Sequence, residues 1–174
     1  MKNLLLITLL SFGLIACANV MTYDEALDRV ASDDFSAEVI ETFIEQANLG
    51  NSEAQHNLAR MYDKGEGVRQ NKKTAIDWYT KAANQGLAEA QHNLGVIYDK
   101  ANDLEQNKKT AVEWYTKAAN QGQVNSQFNL GVLYLIGEGV IQNKATAKEW
   151  IGKACDNGSQ RGCKNYQLLN EEGY

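Results

Sequence analysis

The chain has 174 residues, with 17 lysines and arginines and 22 aspartates and glutamates. Its net charge is therefore −5, and its isoelectric point is near 5.1. This acidic balance argues against a surface that binds the phosphate backbone of nucleic acids. The length suits a single domain, and beyond the N-terminus no hydrophobic stretch approaches the length of a membrane span.

The first residues have the pattern of an export signal. Lys2 is followed by an apolar run over residues 4–12, which is shorter than the roughly 20 apolar residues of a membrane span. The run ends in Leu-Ile-Ala-Cys at residues 14–17, which resembles the lipobox of bacterial lipoproteins. That resemblance implies a signal peptide over residues 1–16 and diacylation of Cys17. An ordinary secretory signal is the alternative, because Ala16-Cys17-Ala18 also fits a small-x-small cleavage site.

The residue after the anchor bears on the destination of such a lipoprotein. Lipoproteins kept in the inner membrane usually carry aspartate there, whereas this chain has Ala18. The resemblance therefore favours a cell-envelope protein that is lipid-anchored in the outer membrane and faces the periplasm, with no other membrane contact.

Two helices are predicted ahead of the repeats that fill most of the chain. Residues 17–35 would contain the anchor, a tether and a capping helix near residues 22–31, and residues 36–51 align with half of a repeat. We interpret the two helices as an N-terminal pair that covers the open end of a solenoid.

A 36-residue sequence then occurs three times without a gap, over residues 52–87, 88–123 and 124–159. Apolar residues at helical spacing predict two helices in each unit. Ser52 and Gln55 are predicted to form a capping box on the first of these helices. The predicted N-caps of the second helices are Asn71, Asn107 and Asn143, and the predicted left-handed residues after them are Gly86, Gly122 and Gly158.

The repeated pattern A-x-Q-x-N-L-G-x-x-Y-x-x-G-x-G-V, followed by A-x-x-W-Y-x-x-A-A-x-Q-G, resembles the Sel1-like repeat, a relative of the tetratricopeptide repeat. The resemblance implies an all-α fold, a right-handed α-solenoid of helix pairs with a concave face that binds protein partners. The middle unit departs from it, because residues 100–104 replace the glycine-containing loop. Residues 160–174 are expected to form a C-terminal capping helix and a tail.

Two further cysteines, Cys155 and Cys163, stand where the repeat has alanine and glutamine. A cysteine-rich branch of the Sel1-like family has disulfides at this junction, and by that resemblance the two are expected to form a structural disulfide, in the oxidising compartment that export reaches. Metal binding is the alternative, but two cysteines without a nearby histidine make a poor zinc site.

No catalytic residue, metal ion or cofactor is expected. The chain has no recognisable catalytic or phosphate-binding motif. Its two histidines, His56 and His92, occupy one repeat position on helices about 10 Å apart, and Asp63 and Asp99 are expected to be solvated. Mid-helix asparagines, such as Asn57, are expected to bind a neighbouring loop, and the repeated tryptophans are expected in the core.

The resemblance to tetratricopeptide repeats indicates which residues of the first helices line the concave face. We call them the inner-face set: His56, Arg60, Asp63, His92, Val96, Asp99, Phe128, Val132, Leu135 and Ile136. The set changes from charged to apolar along the chain, and its apolar end is typical of an interaction site for an amphipathic helix or a loop. Alternatively, the last helix, with Tyr166, Leu168 and Leu169, folds over that end.

The partner is predicted to be another protein, and three functions compete. The first is an adaptor or assembly factor of an envelope complex, as several Sel1-like lipoproteins are. The second is an immunity protein that neutralises a periplasm-acting toxin, for example a lipase. The third, a hydrolase, lacks any catalytic constellation, so we expect a protein that is not an enzyme.

Overall fold

The protein is described by a computed structural model over residues 21–101 and 105–173, and this part contains nine α-helices and no strand. The export signal and Cys17 lie outside the described residues. None of the described helices has the length and apolar character needed to cross a membrane. The helices are α1 (Tyr23–Ala31), α2 (Ala37–Asn48), α3 (Ser52–Lys64), α4 (Lys72–Asn84), α5 (Ala88–Lys100), α6 (Glu105–Asn120), α7 (Val124–Ile136), α8 (Lys144–Asp156) and α9 (Gln160–Glu171).

Each helix packs against the next one along the chain, and the pairs α3–α4, α5–α6 and α7–α8 are the three repeat units. The predicted all-α solenoid is confirmed. At one end, α1 and α2 pack on the first unit, where Phe43 and Ala26 are buried with Leu58. At the other end, α9 packs on α8.

The asparagine caps form in the outer two units but not in the middle one. The Asn71 and Asn143 side chains accept hydrogen bonds from the backbone N–H groups of the third helical residues, at 3.2 and 3.0 Å. The prediction for Asn107 is wrong: α6 begins earlier, at Glu105, and the Asn107 amide donates to the carbonyl of Ala101 instead. The middle unit lacks the glycine loop that ends at the cap in its neighbours.

The predicted capping box on α3 is also wrong. The N-cap is Asn51, whose side chain accepts from two backbone N–H groups, so Ser52 is the first helical residue. Gln55 is turned away from the cap, and its amide donates to the carbonyl of Ala47, 2.9 Å away. The glycines predicted to follow the second helices do adopt left-handed conformations, with φ between +88° and +96°.

A ladder of glutamines ties each first helix to the helix before it. Gln91 repeats the bond of Gln55, because its amide donates to the carbonyl of Ala83 at 3.0 Å. Its own side-chain oxygen accepts from the amide of Gln121, at the end of the following helix. The three equivalent bonds of the ladder are Gln55–Ala47, Gln91–Ala83 and Gln127–Ala119.

The fourth junction replaces this hydrogen bond with a covalent one. Cys155 and Cys163 occupy the register positions of Ala119 and Gln127, and their sulfurs form a disulfide across a Cα–Cα distance of 4.4 Å. The disulfide therefore joins α8 to α9 at the place where hydrogen bonds join the earlier helices.

Two glycines allow the helices of a unit to approach closely. A Cβ added to Gly95 would lie 2.5 Å from a ring carbon of Tyr115. A Cβ added to Gly131 would lie 2.6 Å from a side-chain carbon of Ile151 and 3.0 Å from the carbonyl oxygen of Ala147. Because a carbonyl oxygen cannot rotate away as a side chain can, Gly131 has less room for a methyl group.

The repeated tryptophans are partly buried and pack against the core clusters, so the expectation that they lie in the core is confirmed only in part. The Nζ atom of Lys81 lies 3.5 Å from the centre of the Trp78 ring, and the other two units repeat this cation–π contact. The core is filled instead by the following tyrosines, Tyr79 and Tyr115, which are buried.

Candidate protein-binding surface

The charged residues that α3 contributes to the inner-face set have partners within the protein. Asp63 pairs with Lys72, whose Nζ atom lies 2.6 Å from its carboxylate. Arg60 lies 3.8 Å from the carboxylate of Glu66, which also pairs with Lys64 at 3.3 Å. The Asp63 carboxylate is therefore bound within the protein, whereas the buried Nε of Arg60 has no hydrogen-bond partner among the described residues and forms this longer ion pair.

Asp99 of the second unit belongs to a bridge between two units. Lys108 donates to the Asp99 carboxylate and lies 2.8 Å from the carboxylate of Glu138 in the third unit. These bonds raise the pKa of Lys108, whose side chain is 16% exposed. The expectation that Asp63 and Asp99 are simply solvated is wrong, because both are partly buried and paired.

Both histidines are hydrogen-bonded and partly buried. Nε2 of His56 lies 3.0 Å from the amide nitrogen of Asn93, and Nδ1 of His92 lies 2.8 Å from the hydroxyl of Ser126. Burial lowers the pKa of both, and Arg60 lowers that of His56 further. Ser126 is fully buried, so its contact with a histidine does not expose a nucleophile to a substrate.

The mid-helix asparagines bind side chains of neighbouring helices, and not a loop as expected. The Asn57 amide donates to the hydroxyl of Tyr23, at 3.2 Å. Asn93 hydrogen-bonds to the hydroxyl of Tyr79 as well as to His56. Burial is the main reason that the pKa of Tyr79 is raised. The asparagines are thus part of the scaffold.

Val96 is the apolar residue that the second unit contributes to the set. It is half-buried and packs against the core cluster that contains Tyr115 and Leu130. The four residues that α7 contributes to the set have no polar atom in their side chains, and we call them the apolar part: Phe128, Val132, Leu135 and Ile136. The first three are half-buried, whereas Ile136 is 51% exposed.

The last helix borders the apolar part without closing it. Leu169 is buried, and the ring of Tyr166 packs beside Gly152 of α8. Leu168 has the register position of Val132 and is 47% exposed. The guanidinium of Arg161 lies 4.8 Å from the centre of the Phe128 ring. Apolar surface therefore stays open at Ile136 and Leu168.

Within residues 21–101 and 105–173, no three histidine, cysteine, aspartate or glutamate side chains are grouped so that they could hold a metal ion. The two histidines, which the sequence singled out, bind Asn93 and Ser126 instead.

Comparison with known proteins gives the family. The model of the Sel1 repeat matches residues 52–87, 88–123 and 124–159. A Sel1 repeat protein from Oxalobacter formigenes is 35% identical, with a TM-score of 0.66 over 72% of this chain and 94% of that one. No curated protein matches the chain.

Two further solved structures share the fold. The protective antigen c5321 of uropathogenic Escherichia coli is 42% identical with a TM-score of 0.72, over 78% of this chain but 29% of that one. Helicobacter pylori cysteine rich protein B is 19% identical with a TM-score of 0.56, over 83% of this chain and 96% of that one. Sel1 repeats generally form scaffolds for protein–protein interaction and generally are not enzymes. The chain belongs to the Sel1 repeat family.

Proposed function

We propose that this protein is a binding scaffold of the bacterial cell envelope, an adaptor or assembly factor that holds a partner protein on the apolar part of its inner-face set. The contrast within the set carries this proposal. Its two carboxylates and two imidazoles have partners inside the protein, whereas Ile136 and Leu168 of the neighbouring helix leave apolar surface in water.

The contrast has an energetic meaning. A partner that used Asp63 or Asp99 would have to compete with the lysines that already bind them. A partner that covers the apolar part removes surface from water, which contributes about 25 cal/mol for each Å². Exposed apolar patches bordered by polar residues are typical of interaction sites.

The location of the protein rests on its sequence. The export pattern and the lipobox-like residues around Cys17 support anchoring in the outer membrane, with the solenoid in the periplasm. A disulfide between Cys155 and Cys163 suits that oxidising compartment.

The decisive experiment is cross-linking and capture from the envelope of cells that produce the tagged full-length protein. The wild type is compared with Phe128→Glu/Leu135→Glu and with Ile136→Glu, which changes a more exposed site. The matched control is Leu49→Glu/Ile141→Glu, because these residues are 73% and 92% exposed and lie outside the set. We expect one protein that the wild type and the control capture and that both test variants lose.

The outcomes separate the alternatives. Equal capture by all variants would contradict binding at the apolar part. A captured protein that is a toxin delivered by another cell would identify an immunity protein and would overturn the adaptor role.

The anchor has its own test. Cys17→Ala is expected to move the protein from the membrane fraction to the soluble periplasm, because acyl chains contribute about 0.8 kcal/mol for each buried methylene. If fractionation is unchanged and the wild type carries no lipid mass, the lipoprotein proposal is wrong.

A further inference from the structure

The apolar part on α7 borders the residues at the same register positions on α9, and we call the surface that these two helices share the trough. Helices α7 and α9 both pack on α8, and both are first helices of the repeat pattern, so they run in the same direction. Leu168 on α9 stands at the register position of Val132 on α7. From Phe128 to Ile136 the apolar part spans two helical turns, about 12 Å.

Charges of opposite sign mark the two ends of this trough. Arg161 and Lys164 lie in the first turns of α9, and both are exposed. Glu171 ends the same helix, and Glu172 follows it as the C-cap, and both are exposed too. The trough therefore has a basic end, an apolar centre and an acidic end.

Arg161 is exposed and charged, and it also contacts the Phe128 ring of the apolar part. Its guanidinium lies 4.8 Å from the centre of the Phe128 ring. A guanidinium that stacks on a ring keeps its N–H groups free at the edge, where they can bind a carboxylate in bidentate geometry. An acidic residue of the partner would thus be held next to the aromatic ring.

We propose that the trough binds an amphipathic helix that runs parallel to α7 and α9, with acidic residues in its first turn and basic residues in its last. This inference rests on the proposed function and names the partner segment. The apolar ridge of that helix contacts Val132, Leu135, Ile136 and Leu168.

Two physical arguments give the orientation. The acidic first turn meets Arg161 and Lys164, and the basic last turn meets Glu171 and Glu172. This order of charges also stabilises the partner helix itself, because helices favour acidic residues near the N-terminus and basic residues near the C-terminus. A helix bound on this surface would lie across α7 and α9, with its axis about 8–10 Å from theirs, the usual distance between packed helices.

The test uses a displayed library of helical peptides of about four turns, with leucines fixed at i, i+3, i+4 and i+7. The three residues at each end vary among glutamate, lysine and glutamine. The library is sorted on the purified full-length protein, and the expected result is at least about tenfold enrichment of glutamate at the N-terminal end and of lysine at the C-terminal end, which corresponds to about 1.4 kcal/mol.

Charge-reversed variants test the orientation. Arg161→Glu/Lys164→Glu should abolish or reverse the preference at the N-terminal end of the peptide. The control Arg69→Glu/Lys73→Glu makes the same change of net charge at exposed residues outside the trough and should leave the preference unchanged.

Each other outcome contradicts the proposal at a different point. Peptides without charge enrichment would overturn the orientation, and no bound peptide would exclude a helix in the trough. A concentration-dependent dimer in sedimentation, lost in the Arg161→Glu/Lys164→Glu variant, would make a second copy of this chain the occupant. Capture of an envelope protein at the apolar part would still support the proposed function in all three cases.

Discussion

The disulfide at the last junction permits a quantitative prediction, because the repeats supply the natural residues for its replacement. Cys155→Ala/Cys163→Gln restores the alanine and glutamine of the other junctions, and Cys155→Ser/Cys163→Ser restores neither. The cysteines are eight residues apart, and closing a loop this short stabilises a protein by about 2.5 kcal/mol in the chain-entropy model. We expect the serine variant to lose about this amount.

The alanine–glutamine variant should lose less. A glutamine at position 163 can donate to the carbonyl of residue 155, as Gln127 does to Ala119 at 3.2 Å. Such a bond contributes about 1 kcal/mol, which leaves a net loss of about 1.5 kcal/mol. For a chain of this size, the melting temperature should fall by about 5–10 °C in the serine variant and by about 3–6 °C in the alanine–glutamine variant.

Thermal unfolding followed by circular dichroism, with and without a reductant, checks this order. The reductant should lower the melting temperature of the wild type and leave both variants unchanged. A serine variant that melts with the oxidised wild type would show that loop closure adds no stability. If the melting temperature of the alanine–glutamine variant is equal to or below that of the serine variant, the glutamine hydrogen bond does not stabilise this junction, and it cannot replace the disulfide there.

Three further predictions concern stability. Burial holds the pKa of His56 and His92 below the usual value, so the unfolded chain binds more protons than the folded protein as the pH falls from about 7 to about 5. The free energy of unfolding, measured in urea, should therefore decrease over this pH range, and it should decrease less steeply in His56→Gln/His92→Gln. Equal slopes in the two proteins would contradict this. In the same assay, Lys108→Met should lower the free energy of unfolding by about 1–2 kcal/mol and Lys72→Met by less than about 1 kcal/mol. The reason is that Lys108 bridges two units and is 16% exposed, whereas Lys72 is 65% exposed. Equal losses would show that the bridge at Lys108 adds no stability. Gly131→Ala should lower the free energy of unfolding by about 1–3 kcal/mol through overpacking, and no loss would mean that the helices move apart freely.

The repeat period made most of the fold predictable. A period of 36 residues with apolar positions at helical spacing placed the helices, and the caps at Asn71 and Asn143 followed from their position just before a helix. The prediction failed where the period itself is broken. At Asn107 the neighbouring loop differs from that of the other units, and the helix begins before the residue that should have capped it.

The candidate surface was less predictable, because its state depends on contacts between units. Register places Asp99 on the inner face, but only the fold brings Lys108 and Glu138 to it. One signal was available in the sequence: Ser126 stands where the other units have alanine, and a buried hydroxyl requires a partner, which is His92. The contact of Arg161 with Phe128 joins a capping helix to a repeat, and no repeat pattern contains such a pair.

One face of the solenoid contains both residues that hold the units together and exposed apolar residues, and this separation affects how such a protein can change over evolutionary time. The glutamine ladder and the bridge at Lys108 hold the units together, so substitutions there disturb the whole array. The side chains of Ile136 and Leu168 form no hydrogen bond and are about half exposed, so they can vary at little cost in stability. A lineage of such proteins can therefore change this exposed surface by substitution at a few positions while the rest of the array is retained.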